Sequence, residues 1–102
     1  MSDIFQKKEI LSVEEAREKM VRESDLLVIA RGKNYGPVDA SMKTIACLWS
    51  IRTGTNVQPS DVCDMMEDLK YVRSKESPDH YDNGPDAINY KAFAYALREK
   101  GM

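Results

Sequence analysis

Residues 59–74 read PSDVCDMMEDLKYVRS and carry the clearest helical pattern in this chain of 102 residues. Apolar side chains recur in it at positions i, i+3, i+4, i+7 and i+10, which lie on one face of an α-helix. They are Val62, Met65, Met66, Leu69 and Val72. Pro59 suits the first helical position, because the N–H that proline lacks would have no partner there. The pattern predicts a helix over residues 59–74 that turns this apolar face toward a core.

Three further segments are predicted to be helical. Ser12 and Glu15 have the spacing of a capping box, in which each side chain accepts a hydrogen bond from the backbone amide of the other. Asp39 is the predicted N-cap of the second helix, and Pro85 opens the fourth. Together with the helix above, these signals place helices over residues 13–31, 39–53, 59–74 and 85–100.

The connecting segments Gly32–Pro37 and Ser74–Pro85 are rich in Gly, Pro, Asn and Asp, a composition that predicts loops. The expected fold is therefore all-α, a single four-helix antiparallel bundle-like domain over residues 13–102. Residues 1–12 are expected to form a loosely ordered lead-in.

The charge balance and the apolar runs exclude several classes of partner. Fifteen Lys and Arg against seventeen Asp and Glu leave a formal charge of −2, without the positive excess that non-specific nucleic-acid binding requires. The longest apolar run, Leu26–Ala30, has five residues, whereas a membrane-spanning helix needs about twenty. The N-terminal segment has no apolar signal-peptide core. We expect a cytoplasmic protein that binds neither nucleic acid nor membranes.

The cysteine and histidine content limits the possible enzyme classes. Cys47 and Cys63 form no CxxC motif and His80 is the single histidine, so the sequence spells out neither a zinc site nor a Ser-His-Asp triad. A Cys-His nucleophilic pair stays open, although two reduced, packed cysteines explain the same residues. No resident cofactor is expected on these grounds.

Two segments are apolar on more than one side, namely Leu26–Ala30 and the fourth helix with Ile88, Tyr90, Phe93 and Tyr95. Such surfaces exceed what four short helices readily bury in one chain. We therefore expect a homodimer or a higher homo-oligomer.

Candidate binding residues gather at the ends of the predicted helices, where binding groups usually lie. One group spans the loops at Arg31–Tyr35 and Asp79–Asp86. Another is Lys70 with Arg73, whose side chains could form ion pairs with Asp82 or Asp86. An acidic set on the third helix, Asp61, Asp64, Glu67 and Asp68, has a spacing that could hold Mg²⁺ if a second acidic helix faced it. A solvated helix face explains the same acids.

Four stretches together resemble a family of short bacteriophage and prophage domains of unknown function. They are ARGKNYG, IACLWS, DVCDMMEDLKYVR and PDHYDNGPDAINYKAFA, within Leu26–Ala96. The chain departs from the family at Asn83-Gly84-Pro85, where a Trp-containing turn is common. The resemblance implies a helical fold, a phage origin and a place in the host cytoplasm, and it lends no activity. Its pattern falls on Arg31, Tyr35, Gly36, Trp49, Asp61, Lys70, Arg73, Asp82, Asp86 and Tyr90.

A second, distant resemblance is to the MazG-like all-α nucleoside triphosphate pyrophosphohydrolases, which use ExxE and ExxD motifs to hold Mg²⁺. Asp64-x-x-Glu67 is similar to the first motif, and Asp82-x-x-x-Asp86 is similar to the second, with different acids and spacing. This resemblance implies a Mg²⁺-dependent enzyme with these four acids as metal ligands.

Two hypotheses therefore stand. The first is a small phage-encoded binding protein that acts on a host protein or sequesters a small ligand such as a nucleotide. Its expected binding residues are Arg31, Tyr35, Lys70, Arg73, Asp82, Asp86 and Tyr90. The alternative is the Mg²⁺-dependent pyrophosphohydrolase, and the sequence leaves open whether the protein is an enzyme.

Overall fold

The computed structural model describes residues 10–35, 37–79 and 83–102. Four α-helices account for most of these residues, and no β-strand occurs among them. They are α1 (Val13–Tyr35), α2 (Val38–Thr53), α3 (Pro59–Glu76) and α4 (Asn83–Glu99). The all-α, bundle-like fold predicted from the sequence is confirmed.

Local signals determine where several helices begin and end, and the capping box and Pro59 act as predicted. Ser12 N–H donates to Glu15 Oε1 and Glu15 N–H donates to Ser12 Oγ, both at 3.1 Å, so the capping box of α1 is present. Gly54 ends α2 in the left-handed conformation at φ 69°, which glycine adopts without steric cost. Pro59 is the first residue of α3, directly after the N-cap Gln58.

Both predicted loops are shorter than expected, because helices extend into them. α1 continues past Arg31 through Gly32, since a glycine inside a helix costs only about 1 kcal/mol and the neighbouring turns outweigh it. α3 continues to Glu76, and α4 begins at Asn83, two residues before Pro85. A proline within the first turn breaks no hydrogen bond, because the first amides of a helix have no intrahelical partner.

The N-cap of α2 is also different from the predicted one. Pro37 takes that position with extended backbone angles, φ −64° and ψ 135°, and α2 begins at Val38. Asp39 therefore lies in the first turn, where its carboxylate accepts a hydrogen bond from Ala40 N–H at 3.1 Å and is favoured by the helix dipole. Residues 1–9 of the predicted lead-in, and His80 to Asp82 in the second loop, lie outside the described residues.

Helices α3 and α4 form an antiparallel pair. Three ion pairs follow that register, from Arg98 with Asp64 at one end, through Lys91 with Glu67, to Lys70 with Asp86 at the other. α2 packs on α3, and α1 packs mainly on α4. The buried apolar core belongs to α2, α3 and α4 and consists of Met42, Ala46, Val62, Cys63, Ala94 and Leu97.

The predicted apolar face of α3 is only partly buried. Val62 is fully buried and Met66 packs against the core, whereas Met65, Leu69 and Val72 are exposed. α3 packs against both α2 and α4, and its residues buried in the core include Cys63. The prediction that all five apolar residues face the core was wrong for three of them, because the neighbours of α3 and not its own spacing decide which arc is covered.

Near the end of α1, apolar side chains lie on more than one side of the helix, as the sequence indicated. Leu27 is half-buried, while Leu26 and Ile29 are 61% and 58% exposed. The homo-oligomer expected from this pattern stays a prediction. In the part of the chain that the structure describes, no helix combines the length and the apolar character needed to cross a membrane.

Candidate ligand-binding pocket

A pocket of about 470 Å³ opens where all four helices meet. Such a volume lies within the range of small-molecule sites, roughly 300–1,000 Å³, and its walls combine apolar surface with a few polar groups in the way those sites do. Its lining comprises Val28, Arg31 and Gly32 from α1, Val38, Ser41 and Met42 from α2, Met66 and Lys70 from α3, and Asp86, Asn89, Tyr90 and Phe93 from α4.

Asp86 is the charged centre of the pocket. Its side chain is 0% exposed, and two cations compensate its carboxylate. Arg31 donates to Oδ1 through one guanidinium nitrogen and to Oδ2 through the other, the latter at 3.3 Å. Lys70 Nζ lies 2.9 Å from Oδ2. A buried carboxylate without such partners would be strongly destabilised, so the charges of α1, α3 and α4 depend on one another here.

Local sequence explains how these groups reach one point. Asp86 lies in the first turn of α4, where the helix dipole favours a carboxylate. Arg31 lies near the end of α1, and the extension of α1 beyond Arg31 keeps this residue inside a helix that packs on α4. Lys70 lies in the second half of α3, opposite the start of α4 in the antiparallel pair. The lysine side chain is only 11% exposed, whereas that of Arg31 is 41% exposed.

Two aromatic rings of α4 lie in the same wall. Tyr90 and Phe93 pack edge to face, with ring centroids 6.3 Å apart and an interplanar angle of 85°. Burial raises the pKa of the Tyr90 phenol, and the nearby Asp86 carboxylate raises it further. The phenol is therefore neutral at physiological pH and keeps its O–H as a hydrogen-bond donor.

Asn89 is a pocket residue that the sequence reasoning missed. Its Nδ2 donates to the backbone oxygen of the buried Ser24 at 3.0 Å, which ties α4 to α1 beside the pocket. The available signal was helical spacing from a predicted site residue, since positions 86, 89, 90 and 93 lie on one face of a helix.

The structure brings together four of the seven predicted binding residues, namely Arg31, Lys70, Asp86 and Tyr90. The predicted ion pair between Lys70 and Asp86 is present. Arg73 is exposed and does not line the pocket. Asp82, Gly36 and the side chain of Tyr35 lie outside what the structure describes.

The remaining residues of the phage-domain pattern have structural contacts. Trp49 is half-buried and packs against the core. The Asp61 carboxylate accepts a hydrogen bond from Gln58 N–H at 2.9 Å and so caps α3.

The acids of the metal-binding alternative are paired with cations where the structure shows them. Asp64 pairs with Arg98, Glu67 lies 3.8 Å from Lys91, and Asp86 is held as described above. Among residues 10–35, 37–79 and 83–102, no group of three or more potential metal ligands comes together. The fourth acid, Asp82, lies outside these ranges, so the Mg²⁺ site stays a prediction.

Comparison with known proteins shows a family for most of the chain. The family DUF6378, described as a domain of unknown function, matches residues 19–98, a range that includes every residue lining the pocket. No curated protein and no solved structure matches the chain. Because the matched range covers most of its length, the chain belongs to the DUF6378 family.

Proposed function

We propose that this protein binds a small organic ligand, of about nucleotide size, in the pocket where the four helices meet. The observation that carries the proposal is the position of Lys70 and Arg31 on the wall of a 470 Å³ apolar pocket, both paired with the fully buried Asp86. Buried charges are expensive to keep, and a mostly apolar pocket with a few convergent polar groups is the usual form of a ligand site.

This arrangement favours a small ligand over a host protein as the partner. A protein partner is normally met by a broad outer surface, whereas these charged and aromatic groups line a concave space between helices. Met42 and Met66 add flexible, polarizable side chains that adapt to an apolar or aromatic body. From the sequence alone, we also propose that the protein comes from a phage, acts in the host cytoplasm and associates with copies of itself.

The test is ligand-induced stabilisation measured by thermal unfolding. The panel contains nucleosides, nucleoside mono-, di- and triphosphates and small aromatic acids, each with and without Mg²⁺. A ligand present at a concentration of one hundred times its Kd stabilises the folded protein by about 2.7 kcal/mol. For a domain of this size, that raises the Tm by many degrees.

Lys70→Met keeps the length of the side chain and removes its charge, so it should abolish the stabilisation. Lys91→Met is the matched control, because Lys91 is a lysine of α4 that is 78% exposed and lies outside the pocket lining. It should respond as the wild type does. Stabilisation that survives in Lys70→Met, or a panel without any stabilising compound, contradicts the proposal.

The same panel separates binding from catalysis. Release of pyrophosphate from a nucleoside triphosphate only in the presence of Mg²⁺, and its loss in Asp64→Ala and Glu67→Ala, would establish the pyrophosphohydrolase alternative instead.

A further inference from the structure

We infer that the ligand carries a single acidic group, a carboxylate or a phosphate monoester, and that this group binds Lys70 in competition with Asp86. The inference rests on the proposed function and adds to it the chemical class of the ligand and the residue that the ligand displaces. Asp86 is the protein's own counter-ion for the Lys70 ammonium.

Lys70 is the group best placed to receive an anion. Its side chain lines the pocket and is only 11% exposed, so its charge is weakly screened by solvent. An ammonium group carries three N–H donors, and the Asp86 Oδ2 atom at 2.9 Å is a single acceptor. Its single contact with Asp86 can therefore be exchanged for contacts with the oxygen atoms of a second acid.

Asp86 can lose its ion pair with Lys70 without becoming an uncompensated buried charge. Arg31 donates to both of its carboxylate oxygens through two guanidinium nitrogens. Two-point contacts of this kind are among the strong contacts between an arginine and a carboxylate. An incoming acid that takes the lysine thus leaves Asp86 paired with the arginine, and this makes the exchange energetically possible.

The same charges limit how acidic the ligand is. The described lining contains two cations, Arg31 and Lys70, and Arg31 is already engaged with Asp86. A second or third phosphate would have to lie near the Asp86 carboxylate, and like charges in a poorly solvated site repel strongly. One acidic group on an apolar or aromatic body matches both the lysine and the surrounding wall, which includes Phe93 and Met66.

The experiment measures the affinities of three metal-free probes by isothermal titration calorimetry. The probes are a nucleoside monophosphate, the corresponding triphosphate and indole-3-acetate, and the proteins are the wild type, Lys70→Met and Asp86→Asn. The wild type should bind the monophosphate or the indole acid more tightly than the triphosphate. Asp86→Asn should bind the favoured probe more tightly by roughly ten-fold or more, because its competitor has lost its charge. Lys70→Met should lose binding.

Each outcome decides the matter. A monophosphate preference assigns a phosphate ester, and a preference for the indole acid assigns a carboxylate. Tighter binding of the triphosphate, or equal or weaker binding by a folded Asp86→Asn variant, overturns the inference while leaving a Lys70-dependent pocket ligand intact. Absence of binding by all three probes overturns the inference, whereas the proposed function fails only if the wider panel also finds no ligand. Should Asp86→Asn fail to fold, the order of the three probes in the wild type decides the question.

Discussion

Replacing Asp86 by asparagine removes the negative charge at the centre of the pocket and keeps the size of the side chain. Arg31 and Lys70 then lose the carboxylate that they share, and the loss affects them unequally. Arg31 is 41% exposed and is accessible to water, whereas Lys70 is 11% exposed and has little access to water. Removing one partner of a buried ion pair costs about 3–5 kcal/mol. Because only the lysine is mostly buried, we expect Asp86→Asn to lower the free energy of unfolding by about 3 kcal/mol. The total for a domain of this length is about 5–15 kcal/mol.

The assay is urea unfolding followed by circular dichroism at neutral pH. Asp64→Asn is the matched control, since it makes the same change at a carboxylate that also pairs with an arginine, Arg98, but is 45% exposed. Water screens the pair of Asp64 with Arg98, so Asp64→Asn should lower the free energy of unfolding several-fold less than Asp86→Asn does. The double variant Asp86→Asn with Lys70→Met should be more stable than Asp86→Asn alone, because it removes the stranded charge. Equal losses in Asp86→Asn and Asp64→Asn would refute the buried charge centre.

Three other predictions concern the core and the thiols. Leu97→Ala should cost about 2–5 kcal/mol in the free energy of unfolding, and Leu69→Ala well under half of the loss at Leu97, because Leu97 is buried and Leu69 is exposed; similar losses in urea unfolding would show that α3 turns a different face to the core. Ellman's reagent should modify one thiol per native chain, that of Cys47, and a second, that of the buried Cys63, only after unfolding; two fast thiols in the native protein would contradict this packing. Burial raises the pKa of Cys63 from 9.0 to about 11, so folding favours the protonated thiol. The contribution of this protonation to stability is complete below pH 9 and is lost as the pH rises toward 11. A Cys63→Ala variant should therefore lose stability less steeply than the wild type over that range, and an identical pH profile would argue against the shift.

The limits of the sequence reasoning are clearest in α3. Its apolar spacing established a helix and its start at Pro59, because local backbone preferences and capping act within a few residues. The same spacing named Leu69 and Val72 as core residues, and both are exposed. A hydrophobic pattern shows which side of a helix could be buried, but the neighbouring helices decide how much of it is.

The candidate site divides in the same way. From the sequence, Arg31 was grouped with Asp86, and an ion pair of Lys70 with Asp82 or Asp86 was predicted. Nothing in the sequence predicted that Arg31, Lys70, Asp86 and Tyr90 line one pocket. Asn89 was missed although it shares a helix face with Asp86, because that spacing does not show that a partner such as Ser24 lies opposite it.

The sequence by itself determined the helices of this protein, the starts of α1 and α3, the end of α2 and the identity of four pocket residues, since these follow from periodicity, capping and residue chemistry along the chain. Only the tertiary structure decided that Asp86 is fully buried and that cations from α1 and α3 share it. The physical reason is that Arg31 and Asp86 are separated by 55 positions, and the free energy of their contact depends on burial and on a third group, Lys70, none of which is encoded in either local segment.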